Sequence, residues 1–164
     1  MLAAAVALLS RRDFGRAELR ARLLRLARRY GEGAGPSAEV DHAAVDQVLD
    51  RVQAQGLLSE RRFVEGFVRT RAARFGPARL RYELARRGVE PDLIDAAIGP
   101  LQDDEFERAY SLWLKRFKCG ARDARQRASG ARFLAARGFS HDVIRRILKT
   151  AGLSERPPER CDPG

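Results

Sequence analysis

Cysteine is nearly absent from this chain of 164 residues: Cys119 and Cys161 are the only two, far apart, the second in a proline-rich tail. Two distant thiols make no disulfide framework, and the expectation is free thiols in a reducing compartment. Histidine is equally scarce. His42 and His141 stand near expected helix starts, and their spacing with the cysteines fits no common zinc pattern, so both are read as solvated. Long apolar runs are missing. The opening MLAAAVALLSRRD has no basic residue ahead of its apolar stretch, which makes a poor signal peptide and is too short to span a bilayer. There is no glycine-rich loop ending in Gly-Lys-Ser/Thr, no GxGxxG and no CxxC. Nothing positions a histidine beside a nucleophile. Alternation with a period of two persists nowhere, which argues against a sheet. These absences predict an all-α, non-catalytic, cytoplasmic protein with no cofactor, no metal and no membrane partner.

Lysine is scarce as well, yet the chain is basic. Of its 32 basic residues 29 are arginine, and 22 acidic residues leave a net charge of +10. Residues 1–56 carry 9 basic against 7 acidic, 57–100 carry 9 against 6, and 101–150 carry 12 against 6, so positive charge rises along the chain. Such a balance favours a polyanionic partner, a nucleic acid or an acidic protein surface. The plainer explanation is a GC-rich genome writing arginine on solvated faces.

What is present is organised around GLLSERRFVEGFVRTRAARFGPARLRYELARRGV, residues 56–89. Ser59 is placed to cap a helix, with Glu60 in its first turn. Phe63, Val64, Phe67 and Val68 then form one apolar face. Gly76-Pro77 breaks that helix, because proline lacks an N–H and suits the first turn of the next. Leu80 and Leu84 stripe the second helix, and Gly88 suits a left-handed C-terminal cap.

The unit recurs. Arg87-Gly88-Val89 with Asp92, Leu93, Ile94 and Ile98 is matched by Arg137-Gly138-Phe139 with Asp142, Val143, Ile144 and Leu148. Phe63 and Phe67 return as Phe106 and Tyr110, and Phe14-Gly15-x-x-x-Leu19-x-x-x-Leu23 matches Phe75-Gly76-x-x-x-Leu80-x-x-x-Leu84. Recurrence on this scale means one supersecondary module stacked on itself. The expected repeats are 1–56, 57–102 and 103–152, with 153–164 as a disordered tail.

Element by element, residues 2–10 are expected as a helix with Leu2, Val6, Leu9 and Ala5 inward, and Arg16–Arg29 as a second, supported by a Glu18–Arg22 pair. A loop at 31–38 precedes a third helix, Glu39–Gln55, which Gly56 stops. The second module takes helices at Ser59–Phe75 and Ala78–Arg87, then a short one opened by Pro91. In the third, Asp103, Asp104, Glu105 and Glu107 are read as carboxylates on a helix N-terminus. Phe106, Tyr110, Trp113 and Phe117 follow as an aromatic core stripe. Lys118–Gln126 is a looser connection, and the last helix is His141–Thr150.

Three short helices with glycine turns also suggest a helix-turn-helix DNA reader, whose last helix should be basic. The last helix of the first module carries Glu39, Asp41, Asp46 and Asp50, and that of the second Asp92 and Asp95; only the third, with Arg145, Arg146 and Lys149, suits phosphate.

Three segments resemble a known family, the RecX regulatory proteins that act on the bacterial recombinase RecA. They are Phe14-Gly15-Arg16-Ala17-Glu18-Leu19, the run from Gly56-Leu57-Leu58-Ser59 through Arg87-Gly88-Val89, and Arg132-Phe133-Leu134-Ala135-Ala136-Arg137-Gly138-Phe139-Ser140 through Ile147-Leu148. The resemblance covers about residues 1–150. It implies an elongated, curved array of helix-turn-helix-like modules, a monomer, lying in the groove of the RecA filament on single-stranded DNA and suppressing ATP hydrolysis and strand exchange. On charge and helical face, the contact candidates are Arg79, Arg81, Arg86 and Arg87 of the second module, with Arg132, Arg137, Arg145, Arg146 and Lys149 of the third. For each arginine the competing reading is a solvated side chain or an intramodule pair such as Glu83–Arg87. The alternative function is direct, sequence-nonspecific DNA binding, which predicts steep salt dependence.

Overall fold

A computed structural model describes residues 1–31, 41–117, 121 and 123–153. Of the loop expected at 31–38, Gly31 ends a helix and the rest lies outside the described residues, as do residues 118–120 and 122 of the Lys118–Gln126 connection, which the helix from Ala124 shortens, both cysteines and residues 154–164.

Among the described residues every regular element is helical: α1 (Leu2–Leu9), α2 (Arg16–Gly31), α3 (His42–Ala54), α4 (Glu60–Arg71), α5 (Pro77–Ala85), α6 (Pro91–Ile98), a 3₁₀ turn (Gly99–Gln102), α7 (Glu105–Arg116), α8 (Ala124–Ala136) and α9 (His141–Leu153). They pack as two compact units. The first takes Met1–Phe67 with Leu84–Ile94, the second Val68–Glu83 with the described residues from Asp95 onward. The middle repeat therefore contributes residues to both.

In the first unit, Leu19 and Leu23 of α2 meet Val45, Leu49 and Val52 of α3, with Ala5, Phe14 and Leu58 closing the cluster. These are the i, i+4 and i, i+3 positions of each helix, and each large side chain so buried stabilises by about 1.5–3 kcal/mol. Val6, expected inward, is 39% exposed; the core side of α1 runs through Ala5, where a small residue lets the helix lie close. Asp41 is extended (ψ 96°) and its side chain accepts from the Ala44 N–H at 3.0 Å. The third helix thus begins at His42 instead of Glu39, because the Asp41 carboxylate supplies the cap a helix start needs. Glu18 does not pair with Arg22; its carboxylate takes the guanidinium of Arg12 at 2.5 Å, across the turn that Phe14-Gly15 makes. Arg20 and Asp46 tie α2 to α3 with two bonds, 2.6 and 2.9 Å. Arg62 donates to the carbonyls of Gly56 and Leu57 at 2.9 and 3.0 Å, so this arginine closes the end of α3 where φ of Gly56 is +70°.

The second unit has its core at Ala109, Trp113, Leu134, Phe139, Val143, Ile144 and Ile147. Trp113 packs close against α8 because Gly130 leaves room: a Cβ there would stand 2.2 Å from its ring. Trp113 is core, as its spacing implies. Phe106, Tyr110 and Phe117 are only partly buried. Glu105 is different from its acidic neighbours. At 6% exposed it accepts from the N–H of Ser140 at 2.7 Å and from its hydroxyl at 3.2 Å, while Ser140 Oγ accepts from Val143 N–H at 3.4 Å. The carboxylate read as a cap of its own helix in fact organises the start of α9. Arg108, 12% exposed at the side chain, donates to the carbonyls of Ala72 (2.8 Å), Phe75 (3.3 Å) and Leu101 (2.5 Å), and pairs with Asp104. It satisfies carbonyls just past α4 that have no helical partner.

The recurring Phe-Gly and Arg-Gly pairs turn out to be two halves of one joint. Gly76 N–H donates to the Arg137 carbonyl at 2.9 Å and Ala78 N–H to the Gly138 carbonyl at 3.2 Å. Two amides at the start of α5 are thereby satisfied, and Pro77 between them has none to satisfy. The approach excludes side chains: a Cβ on Gly76 would lie 2.3 Å from the Gly138 oxygen, and one on Gly138 (φ +81°) 2.3 Å from the Arg79 nitrogen. In the first unit the matching partners meet again, with Gly88 (φ +73°) placing a would-be Cβ 3.1 Å from that of Ala17.

A candidate polyanion-binding surface

Three environments sort the nine candidates. Some are ion-paired within the chain. Arg79 Nε donates to Glu83 at 3.0 Å, Arg81 grips Asp95 with two nitrogens at 2.7 and 3.1 Å, and Arg145 pairs with Asp142 one turn back. A guanidinium so neutralised has less to offer a second anion. Others lie over aromatic rings. The Cζ of Arg146 is 4.5 Å from the ring centre of Phe106, itself stacked on Tyr110 at 5.7 Å and 11°. Arg137 Cζ is 4.0 Å from the Phe133 centre, and Arg87 Cζ is 4.8 Å from that of Phe67. The ring's negative face holds the cation without cancelling its charge. Arg132 and Lys149 are exposed, with no ion pair among the described residues, and Arg86 is exposed.

Arg79, Arg81, Arg132, Arg137, Arg145, Arg146 and Lys149 belong to the second unit; Arg86 and Arg87 belong to the first. The sequence grouped Arg79, Arg81, Arg86 and Arg87 as one module; the boundary between the two units falls within α5, between Glu83 and Leu84. The glycine joint does bring Arg79 and Arg137 to the two sides of one turn. Sequence reasoning missed Arg116. Its Cζ lies 4.7 Å from the centre of the same Phe133 ring that Arg137 covers. The signal was the aromatic at position 133, partly exposed and flanked by Arg132 and Arg137.

Among the described residues no group of three or more His, Cys, Asp or Glu could hold a metal ion. The acidic group at 103–107 is split between the buried Glu105 and the Arg108 partner Asp104. A shallow cleft in the second unit is lined by Thr70, Arg71, Arg74, Phe75 and Glu83. No helix of the described residues is long and apolar enough to cross a membrane.

An all-α repeat protein whose arginines partly close helices and partly stand on aromatic rings is thus the class defined. Comparison with known proteins makes it particular. Residues 59–98 match the second three-helix domain of RecX and residues 103–148 the third. The chain is 43% identical over 143 residues to the regulatory protein RecX of Leptothrix cholodnii, covering 87% of this chain and 83% of that protein. It is 42% identical over 148 residues to that of Ectopseudomonas mendocina, covering 89% and 91%. A crystal structure of RecX from Lactobacillus salivarius shares the fold at a TM-score of 0.70 and 20% identity, covering 93% of this chain and 94% of that one. A second regulatory protein RecX structure gives 0.69 at 21%, covering 90% and 71%. The chain belongs to the RecX family of regulatory proteins.

Proposed function

We propose that the protein is a non-catalytic inhibitor of the RecA recombinase, acting in the cytoplasm as a monomer. It binds in the groove of the RecA filament on single-stranded DNA and suppresses ATP hydrolysis and strand exchange. Family membership over most of the chain carries this reading. The second and third of the expected repeats (57–102 and 103–152) would carry the basic contacts, and several modest contacts along a helical polymer add up through effective concentration. Arg137, Arg146, Arg132 and Lys149 support it best, since none of them has a carboxylate partner among the described residues. Arg79, Arg81 and Arg145 contribute less, each having to give up an internal partner first.

The test is ATP turnover by the cognate RecA on single-stranded DNA, with this protein titrated well below stoichiometry. Strong inhibition at low ratios, beside weak affinity for bare DNA in the same salt, is expected. No effect on turnover, beside tight and salt-sensitive binding to bare DNA, would instead make the protein a direct DNA binder.

A further inference from the structure

We infer that Arg116 and Arg137, mounted together on the Phe133 ring, form a phosphate-binding clamp for single-stranded nucleic acid. Arg116 ends α7 and Phe133 lies in α8, with Arg137 one turn further on at the C-cap of that helix. Both guanidinium carbons stand over one ring, 4.7 and 4.0 Å from its centre, which places them within 8.7 Å of each other. Two cations that close repel, and neither has a carboxylate partner among the described residues; the ring's quadrupole holds both. A guanidinium lying on a ring spends its flat face there and keeps its N–H edge for planar, two-pronged acceptors such as phosphate. The Nε of Arg137 is buried without a hydrogen-bond partner, so the side chain is seated firmly against its neighbours. Such seating removes rotamer entropy that a free surface arginine would lose on binding.

The surroundings favour a phosphodiester strand over an acidic protein. A protein interface has a core poor in charge and rich in apolar contact. In the second unit the exposed large apolar side chains among the described residues are Tyr82 and Leu114, whereas Arg132, Arg145, Arg146 and Lys149 are all exposed. Nucleic-acid surfaces are polar and strongly basic in that way. The clamp rests on the proposed function only in taking a nucleic-acid strand to be within reach.

The experiment measures binding of a fluorescent oligo-dT to the full chain by anisotropy over a salt series, starting at low salt. Removing one arginine–phosphate pairing should flatten the plot of log affinity against log salt by roughly 0.7. Arg116→Ala is expected to weaken binding several-fold and flatten the slope by about one such pairing, and Arg116→Ala with Arg137→Ala by about two. Phe133→Leu keeps apolar bulk and removes the ring; it should weaken binding without removing a charge. Arg61→Ala, whose guanidinium is held by Glu65 and which is not among the contact candidates, is the control and should leave the slope unchanged. Equal slopes for wild type and Arg116→Ala, or equal weakening in Arg116→Ala and Arg61→Ala, would overturn the clamp. So would failure of the wild type to bind oligo-dT at low salt while Arg116→Ala still impairs inhibition of RecA, which would assign these arginines to a protein surface. Circular dichroism and melting of each variant separate weakened binding from impaired folding. RecA turnover is read in parallel: a wild type that binds oligo-dT through the clamp but leaves turnover unaffected refutes the inhibitor reading and not the clamp.

Discussion

Arg20 and Asp46 show what one residue pair does here. The Arg20 guanidinium, bonding Asp46 at 2.6 and 2.9 Å, holds that carboxyl below its usual range, helped by the charges of Arg20, Arg16 and His42. A carboxyl with a lowered folded pKa contributes stability that is present above its unfolded value, about 3.9, and is lost as pH falls through the folded one. Melting of the wild type should therefore show a component that disappears on acidification below about pH 4, and Asp46→Asn should lack it. A melting curve whose acid limb is the same in both proteins would remove the pair from the stability account. Arg108 makes a second case. Replacing it with alanine leaves the carbonyls of Ala72, Phe75 and Leu101 without that donor, and should cost about 1–3 kcal/mol in urea unfolding. An exposed arginine such as Arg132 replaced by alanine should change stability by less than about 0.5 kcal/mol. Equal effects would mean Arg108 is no more structural than the surface.

Among elements, the glycine turns separate two costs that are usually mixed. Gly56 and Gly138 both have positive φ, +70° and +81°, but a Cβ at 56 meets nothing within 4 Å while one at 138 runs into the start of α5. Gly56→Ala should thus cost only the left-handed backbone penalty, about 1–2 kcal/mol. Gly138→Ala adds a clash in a packed joint, about 1–3 kcal/mol more. Gly76→Ala carries the clash without the penalty, and the Gly76→Ala, Gly138→Ala double variant should be non-additive, because either change alone already opens the joint. Chemical denaturation of the four proteins measures all of this; identical destabilisation at 56 and 138 would show that the joint is looser than its hydrogen bonds imply.

For the whole molecule the question is which charges face outward unpaired. A net charge of +10 speeds encounter with any polyanion, but the sites of contact depend on which guanidiniums are already spoken for. Under the proposed function, Arg146→Glu should weaken inhibition of RecA turnover more than Arg145→Glu. Arg145 is already paired with Asp142, whereas Arg146 stands on Phe106 with its charge uncancelled. Inhibition that falls equally for both would make net charge, and not local setting, the determinant.

Much of this was legible in one dimension. Helical period, proline at helix starts, glycine at stops and the recurrence of Phe-Gly and Arg-Gly pairs determined the helices and the repeat, because backbone conformation and amphipathic burial are local matters. The family could be read from the same segments. Tertiary structure decided what locality cannot reach: that Glu105 serves Ser140 thirty-five residues away, that Arg108 closes carbonyls near the end of α4, and that Arg116 and Arg137 share a ring. It also decided that Phe-Gly and Arg-Gly are one contact seen from its two sides. An arginine looks the same in sequence whether it caps a helix, pairs with a carboxylate or stands on a ring. Its role is set by what lies within about 4 Å of the guanidinium, and only the folded chain brings those neighbours there.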